Sequence, residues 1–154
     1  MKRILITGGT GFLGSHIVKK LVETDIEYVV VPTTNIKQKS SIDLMDIDSN
    51  KLSVIPGDVR DFDFLQRLFN EYEFDTVFHL GAMSEVRKCQ NNAKLAYDVN
   101  VGGTVNLLEA ARLYGKVNAI IVSSSDKAYG QSKVPYLEEY PLVGKAISAA
   151  SSTW

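Results

Sequence analysis

Cysteine is almost missing from this chain, with Cys89 the one thiol in 154 residues. A single thiol makes neither an internal disulfide nor a cysteine-cluster zinc site, so no metal is expected and the side chain reads as reduced and cytoplasmic. An excess of charge of one sign is missing too. Seventeen Lys+Arg stand against 18 Asp+Glu, for a formal net charge of −1. Without a basic excess or a polybasic run, the electrostatic footprint of a nucleic-acid binder is absent. Long apolar runs are the third lack. Met1-Lys2-Arg3 leads into Ile4-Leu5-Ile6, and Thr7-Gly8-Gly9 then ends the run. A secretory signal takes roughly 7–15 apolar residues and a membrane helix about 20. The expectation is a cytoplasmic protein with neither nucleic acid nor membrane as partner.

What remains is ordinary globular material, 45% hydrophobic and 23% charged, enough for one domain with a real core. Ile4-Leu5-Ile6 is a continuous apolar run closed by glycines, which suits a strand buried on both faces of a parallel sheet. From Phe12 onward, Leu13, Ile17, Val18, Leu21 and Val22 fall at helical spacing, with Lys19, Lys20 and Glu23 opposite. Tyr28 to Val31 reads as a second strand that stops at Pro32. Thr33 to Asn50 is polar and aperiodic, a loop with room for one helical turn.

Leu52 to Ile55 is the third strand, closed by Pro56-Gly57. Asp61 suits the N-cap of a helix carrying Phe64, Leu65, Leu68 and Phe69. Thr76 to Leu80 is a fourth strand, and a long helix is expected over Ala93 to Tyr114 with a break near Gly102-Gly103. Val117 to Val122 is the fifth strand, with Ser123-Ser124-Ser125 at its C-terminal end. Alternating strands and helices imply right-handed crossovers, hence an α/β fold with a doubly wound parallel sheet in the order 3-2-1-4-5. A crevice follows at the topological switch beside the first strand.

Between the first strand and first helix lies Thr7-Gly8-Gly9-Thr10-Gly11-Phe12-Leu13-Gly14. Gly8 suits the tight turn, Gly11 lets backbone approach a diphosphate, and Gly14 lets the helix pack closely on the strand. Helix N-terminal N–H groups would then face the phosphates of NAD or NADP. An acid at the end of the second strand commonly binds the adenosine ribose of NAD. Here Pro32-Thr33-Thr34-Asn35 stands there, with Lys37 and Lys39 following. Two readings stay open: cations that tolerate the 2′-phosphate of NADP, or two solvated loop lysines.

Several segments, in order from Thr7 to Gly130, resemble the extended short-chain dehydrogenase/reductase family of NAD-dependent sugar-nucleotide epimerases and dehydratases. TGGTGFLGSH is similar to its cofactor loop, which implies dinucleotide contacts from Gly8, Thr10, Gly11, Phe12, Leu13 and Gly14. GDVRD resembles its adenine segment, so that Asp58 would accept from the adenine amino group and Val59 would touch the ring. HLGA resembles the wall after the fourth strand and implies Leu80, Gly81 and Ala82 at the cofactor. NVGGTVNLLEAAR matches the long helix whose Asn100 lies near the cofactor, and SSSDKAYG the end of the fifth strand, with Ser123 at the cofactor.

By that resemblance Ser125 would hydrogen-bond the sugar hydroxyl or the developing carbonyl. Asp126-Lys127 is similar to the 4,6-dehydratases, the CDP-glucose type in particular, where the Asp protonates the leaving hydroxyl as general acid. The opposing reading makes Asp126 a turn or capping residue and Lys127 its exposed neighbour. The family's base is a Tyr-x-x-x-Lys pair on the next helix, the Lys lowering the Tyr pKa. Near position 150, where it would fall, the sequence reads Ile147-Ser148-Ala149-Ala150-Ser151-Ser152-Thr153-Trp154. Tyr129 and Lys133 have the spacing, but they follow the fifth strand in a stretch with Gly130 and Pro135, where no helix turns both to one face.

The likeness holds through Leu142 and then fails. The expectation is a cofactor-binding domain over 1–142, a divergent tail over 143–154, and a substrate domain absent from these residues, as a truncated family member would have it. A nucleotide-sugar substrate is then implied for the full-length family. The alternatives are a non-catalytic dinucleotide-binding module and a truncated remnant. Apolar surface around Ile120-Ile121-Val122 and Leu107-Leu108 is expected to be uncovered, which favours a homodimer or aggregation.

Overall fold

The computed structural model describes residues 2–45, 47, 49–130 and 135–142. Its strands are β1 (Lys2–Thr7), β2 (Ile26–Thr33), β3 (Leu52–Pro56), β4 (Thr76–His79) and β5 (Ala119–Val122). They form one parallel sheet in the order β3-β2-β1-β4-β5, the expected doubly wound topology. The helices are α1 (Phe12–Val22), α2 (Phe62–Tyr72), α3 (Val86–Asn91), α4 (Ala93–Tyr97) and α5 (Gly103–Tyr114). Among the described residues no helix is long and apolar enough to cross a membrane.

Side chains alternate across a strand, and both faces of this sheet are covered. Ile4, Ile6, Val29 and Val31 point to one face and pack with Val18 and Val22 of α1. Leu5, Val30 and Val77 point to the other and pack with Leu65, Leu68 and Phe69 of α2 and Leu107, Ala110 and Ala111 of α5. That double burial is why β1 and β2 read as continuous apolar runs.

Three expectations change and one is sharpened. β2 runs through Pro32, which pairs with Ile55 of β3. Its register with β1 ends at Leu5 and Val30, so one side of the strand has no ladder at Pro32 and a missing N–H there breaks no bond. The helix over Ala93 to Tyr114 is interrupted just before Gly103, as expected. α4 leads into a wide π-type turn, Asp98–Gly102, before α5, and α3 precedes both. The loop after β2 holds two short 3₁₀ turns, Ile42–Leu44 and Ser49–Lys51. Finally, Leu107 is fully buried, because α5 turns it with Ala110 and Ala111 toward α2. Leu108 is 41% exposed, as are Ile120, Ile121 and Val122 of β5 at 36%, 43% and 43%, so the rest of the uncovered apolar surface is present.

Asp61 caps α2 as expected, its Oδ1 accepting from the Phe64 N–H at 2.9 Å. Replacing it by Ala should lower unfolding stability by about 1 kcal/mol. A denaturant titration of Asp61→Ala against the unchanged chain checks this, and an unchanged midpoint would contradict the cap.

Candidate functional site

The C-terminal ends of the strands open onto two clefts that meet at Leu80, Gly81, Ala82, Ser84 and Ser123. The larger run of lining lies at the topological switch between β1 and β4 and reaches over the ends of β2 and β3, a cleft of about 750 Å³. It is lined by Gly8, Thr10, Gly11, Phe12, Leu13 and Gly14 on one side and by Asp58, Val59, Leu80, Gly81 and Ala82 on the others. The structure therefore brings together the sequence candidates from four separate segments.

Close backbone approach shapes this cleft. Gly8 has φ 70°, and a Cβ there would stand 2.7 Å from the Leu80 carbonyl and the Gly81 nitrogen. A Cβ on Gly14 would stand 2.2 Å from the Gly8 oxygen, so the helix packs on the glycine loop itself. At Gly11 only the Gly8 oxygen lies near, at 3.3 Å. Gly11 is also the N-cap of α1, in extended conformation and without a side-chain cap, and the first turn holds no acid. Its N–H groups are thus uncapped by side chains at the cleft, the arrangement that takes an anion. A diphosphate group fits this cradle, and a side chain at 11 would intrude on it.

A hydrogen-bond chain fixes the wall opposite. Gly81 N–H donates to Thr7 Oγ1 at 3.0 Å, and Thr7 Oγ1 meets His79 Nδ1 at 2.6 Å. His79 Nε2 meets Thr104 Oγ1 at 2.9 Å, and Thr104 donates to the Asn100 carbonyl at 2.6 Å. Since Thr104 spends its proton on Asn100, it accepts from His79, and the proton sits on Nε2. Nδ1 then accepts from Thr7. Every member is satisfied with a neutral imidazole, and burial pushes its pKa down.

Asn100, expected beside the cofactor, is buried and lines the second cleft. Its amide is committed to backbone: Oδ1 accepts from Met83 N–H at 2.7 Å and Nδ2 donates to Met83 O at 3.0 Å. Cys89 also donates to Met83 O, at 3.1 Å. Asn100 therefore holds the loop that walls the cleft. Asp58 is gripped by Arg60, whose Nε lies 3.0 and 2.9 Å from its oxygens and whose Nη2 lies 2.5 Å away. The guanidinium holds the Asp58 carboxyl below its ordinary pKa. Val59 is seated under Gly103, where a Cβ would stand 2.5 Å from its Cγ2, and Asn106 donates to the Val59 and Arg60 carbonyls.

The second cleft, about 730 Å³, is lined by Ser123, Ser124, Ser125 and Asp126 together with Asn100, Thr104 and Val122. Ser123 N–H donates to His79 O at 3.0 Å, which ties the end of β5 to the end of β4. Ser125 Oγ donates to Asp126 Oδ1 at 3.2 Å. Asp126 opens a 3₁₀ turn, Asp126–Tyr129. Tyr129 lies in that turn, stacked on Tyr136 with ring centres 5.2 Å apart. Lys133, the side chain of Lys127 and the tail 143–154 lie outside the described residues. Sequence reading missed Thr7, Thr104, Arg60 and Asn106 as site-forming residues. A signal existed for one pair alone: a His inside an apolar strand demands polar partners.

Residues 5–151 match the family model described as GDP-mannose 4,6 dehydratase. The chain is 37% identical over 146 residues to UDP-glucose 4-epimerase 2 of Arabidopsis thaliana, covering 92% of this chain and 41% of that protein. The structure of the UDP-Glc/GlcNAc 4-epimerase of Campylobacter jejuni superimposes with a TM-score of 0.81 at 32% identity, over 94% of this chain and 44% of that one. UDP-glucose-4-epimerase from Stenotrophomonas maltophila, solved with bound NAD and formylated UDP-arabinopyranose, also gives 0.81, at 27% identity over 93% and 43%. The chain belongs to this family of extended short-chain dehydrogenases/reductases that comprises nucleotide-sugar epimerases and dehydratases. It spans about two-fifths of the length of the curated relatives it matches.

The neutral His79 makes stability pH-dependent. Its folded pKa is depressed, so near its ordinary value of about 6.5 the unfolded chain binds more protons. The stabilisation is full above that value and is lost as pH falls through the lowered folded pKa. Denaturant midpoints should drop between about pH 7.5 and pH 5.5, and the drop should be smaller in His79→Gln. An equal drop in both would assign the dependence to other groups.

Proposed function

We propose that this chain is the dinucleotide-holding part of a nucleotide-sugar epimerase or dehydratase, with residues 1–142 forming the NAD(P)-binding domain and 143–154 a tail of different character. One observation carries the reading: the uncapped N-terminus of α1 stands over a glycine loop too tight for side chains at Gly8 and Gly14. Gly8, Thr10, Gly11, Phe12, Leu13 and Gly14 would take the diphosphate side, and Asp58 and Val59 the adenine. Leu80, Gly81, Ala82, Asn100 and Ser123 would wall the rest. The NAD in the Stenotrophomonas relative supports NAD as the cofactor.

A bound nicotinamide supplies a reversible acceptor for the hydrogen leaving the hexose C4. Ser125 would hold the reacting oxygen by a hydrogen bond, and Asp126 with Lys127 would serve the 4,6-dehydratase branch, Asp126 as the acid toward the leaving hydroxyl. The epimerase branch is the second reading, supported by the names of the relatives. The 154 residues contain no Tyr-x-x-x-Lys pair near position 150, which favours binding without turnover by this chain alone. A non-catalytic dinucleotide module is the limiting form of that reading.

Titration calorimetry with NAD tests the proposal. The expected result is saturable binding that Gly11→Val abolishes while circular dichroism stays unchanged. No binding by the folded, unchanged chain would reject it.

The exposed Ile120, Ile121, Val122 and Leu108 support self-association, since exposed apolar surface and a sheet edge that is unpaired among the described residues both seek a partner. Light scattering should show mass rising with concentration. A strict monomer at high concentration would remove the homodimer from the proposal.

A further inference from the structure

The first cleft carries little charge. Among the described residues that line it, Asp58 and Arg60 are the only charged ones. They are locked to one another through Nε and Nη2 of the guanidinium, and the lining is neutral in sum. NAD-selective sites place a carboxylate at the end of the second strand, where it accepts from the ribose hydroxyls and repels a 2′-phosphate. Here the end of β2 presents Pro32, Thr33 and Thr34 to the cleft. Thr33 Oγ1 accepts from the Asn35 N–H at 3.3 Å, which ties the turn and leaves the hydroxyl proton to donate.

We propose that this end of the cleft does not reject a 2′-phosphate and that the chain takes NADP as well as NAD, with Thr33 and the Asp58–Arg60 pair as the determinants. The inference rests on the dinucleotide reading above. A phosphate at that position carries a charge of roughly −1.5 to −2. It meets hydroxyls and a guanidinium in place of an acid. Arg60 spends Nε and Nη2 on Asp58, and Nη1 is not used by that pair. Its side chain is 45% exposed, so it can lean toward a phosphate without leaving a buried charge alone. The carboxylate of Asp58 stays ionised beneath it, with Oδ1 also accepting from the Arg60 backbone N–H at 2.9 Å, so the pair holds its place when the guanidinium leans outward.

The test is titration calorimetry of the full chain with NAD and with NADP at one ionic strength. NADP is expected to bind within about tenfold of NAD, or more tightly. Thr33→Asp keeps an acceptor for the Asn35 N–H and restores the missing carboxylate. It should move the ratio toward NAD by about tenfold or more. Thr34→Asp, one residue further on, carries the same expectation where circular dichroism finds Thr33→Asp unfolded. NAD binding with NADP weaker by more than about tenfold overturns this inference alone. An unchanged ratio in the folded Asp variant overturns the determinant. Failure of both nucleotides to bind the folded chain overturns the dinucleotide reading and this inference with it.

Discussion

Thr7 and His79 are the last residues of β1 and β4, partners in the sheet register, and the bond between their side chains carries much of the site. Thr7 has one proton and gives it to the imidazole, so its lone pairs are available to Gly81 N–H. That bond sets the height of the wall over the glycine loop, at the distance where Gly8 admits no Cβ. On its other side the imidazole binds Thr104, which is bound in turn to the backbone of the π-type turn. Reversing any one proton would leave two donors or two acceptors facing each other in a buried place, which costs more than a single lost bond. The two adjoining clefts thus share one rigid polar spine.

The wide turn before α5 follows from the same spine. α5 must bring Thr104 to His79, Asn106 to the Val59 and Arg60 carbonyls, and Leu107 into the core with α2. α4, a few residues earlier, must bring its own buried face to a different place. Asn100 lies in the segment between them, satisfying Met83 with both ends of its amide. One extra residue per turn in Asp98–Gly102 absorbs the mismatch, which is the usual reason a π-type turn persists at a functional site.

The sheet order and the glycine loop were legible in the sequence because both depend on local patterns. Apolar runs such as Ile4-Leu5-Ile6 mark strands, and Gly8, Gly11 and Gly14 mark a turn opening a helix. The buried alternation of Leu5 against Ile4 and Ile6 needed nothing from far along the chain. The polar spine was not legible. Thr7 and His79 are 72 residues apart and His79 and Thr104 are 25 apart, separations set by the crossovers and invisible to any spacing rule. Pro32 misled for a related reason: its tolerance depends on the β1–β2 ladder stopping at Leu5 and Val30 while β1 runs on beside β4, a fact of register. Leu107 and Leu108 were read together, yet adjacent helical residues face different ways, and only the position of α2 decides which is buried.

The two clefts differ in how far they are enclosed. The first cleft is lined by elements that all lie within the described residues: the glycine loop, the ends of β2 and β3, the wall after β4, Leu95 of α4 with Val99 of the turn that follows, and Ser123 after β5. Each wall is fixed by a backbone bond or by a glycine contact made inside that set. The second cleft is different. Ser123 to Asp126 and Val122 bound it beside β5, and β5 pairs only with β4 among the described residues, its Ile121 and Val122 each 43% exposed. A substrate there would meet the end of one strand and open solvent. The exclusion of water requires enclosure, whereas an anion at a helix N-terminus requires only oriented N–H groups. On the proposed reading, the first cleft therefore needs no cover over β5 to hold a dinucleotide, whereas the second cleft does need one to enclose a substrate.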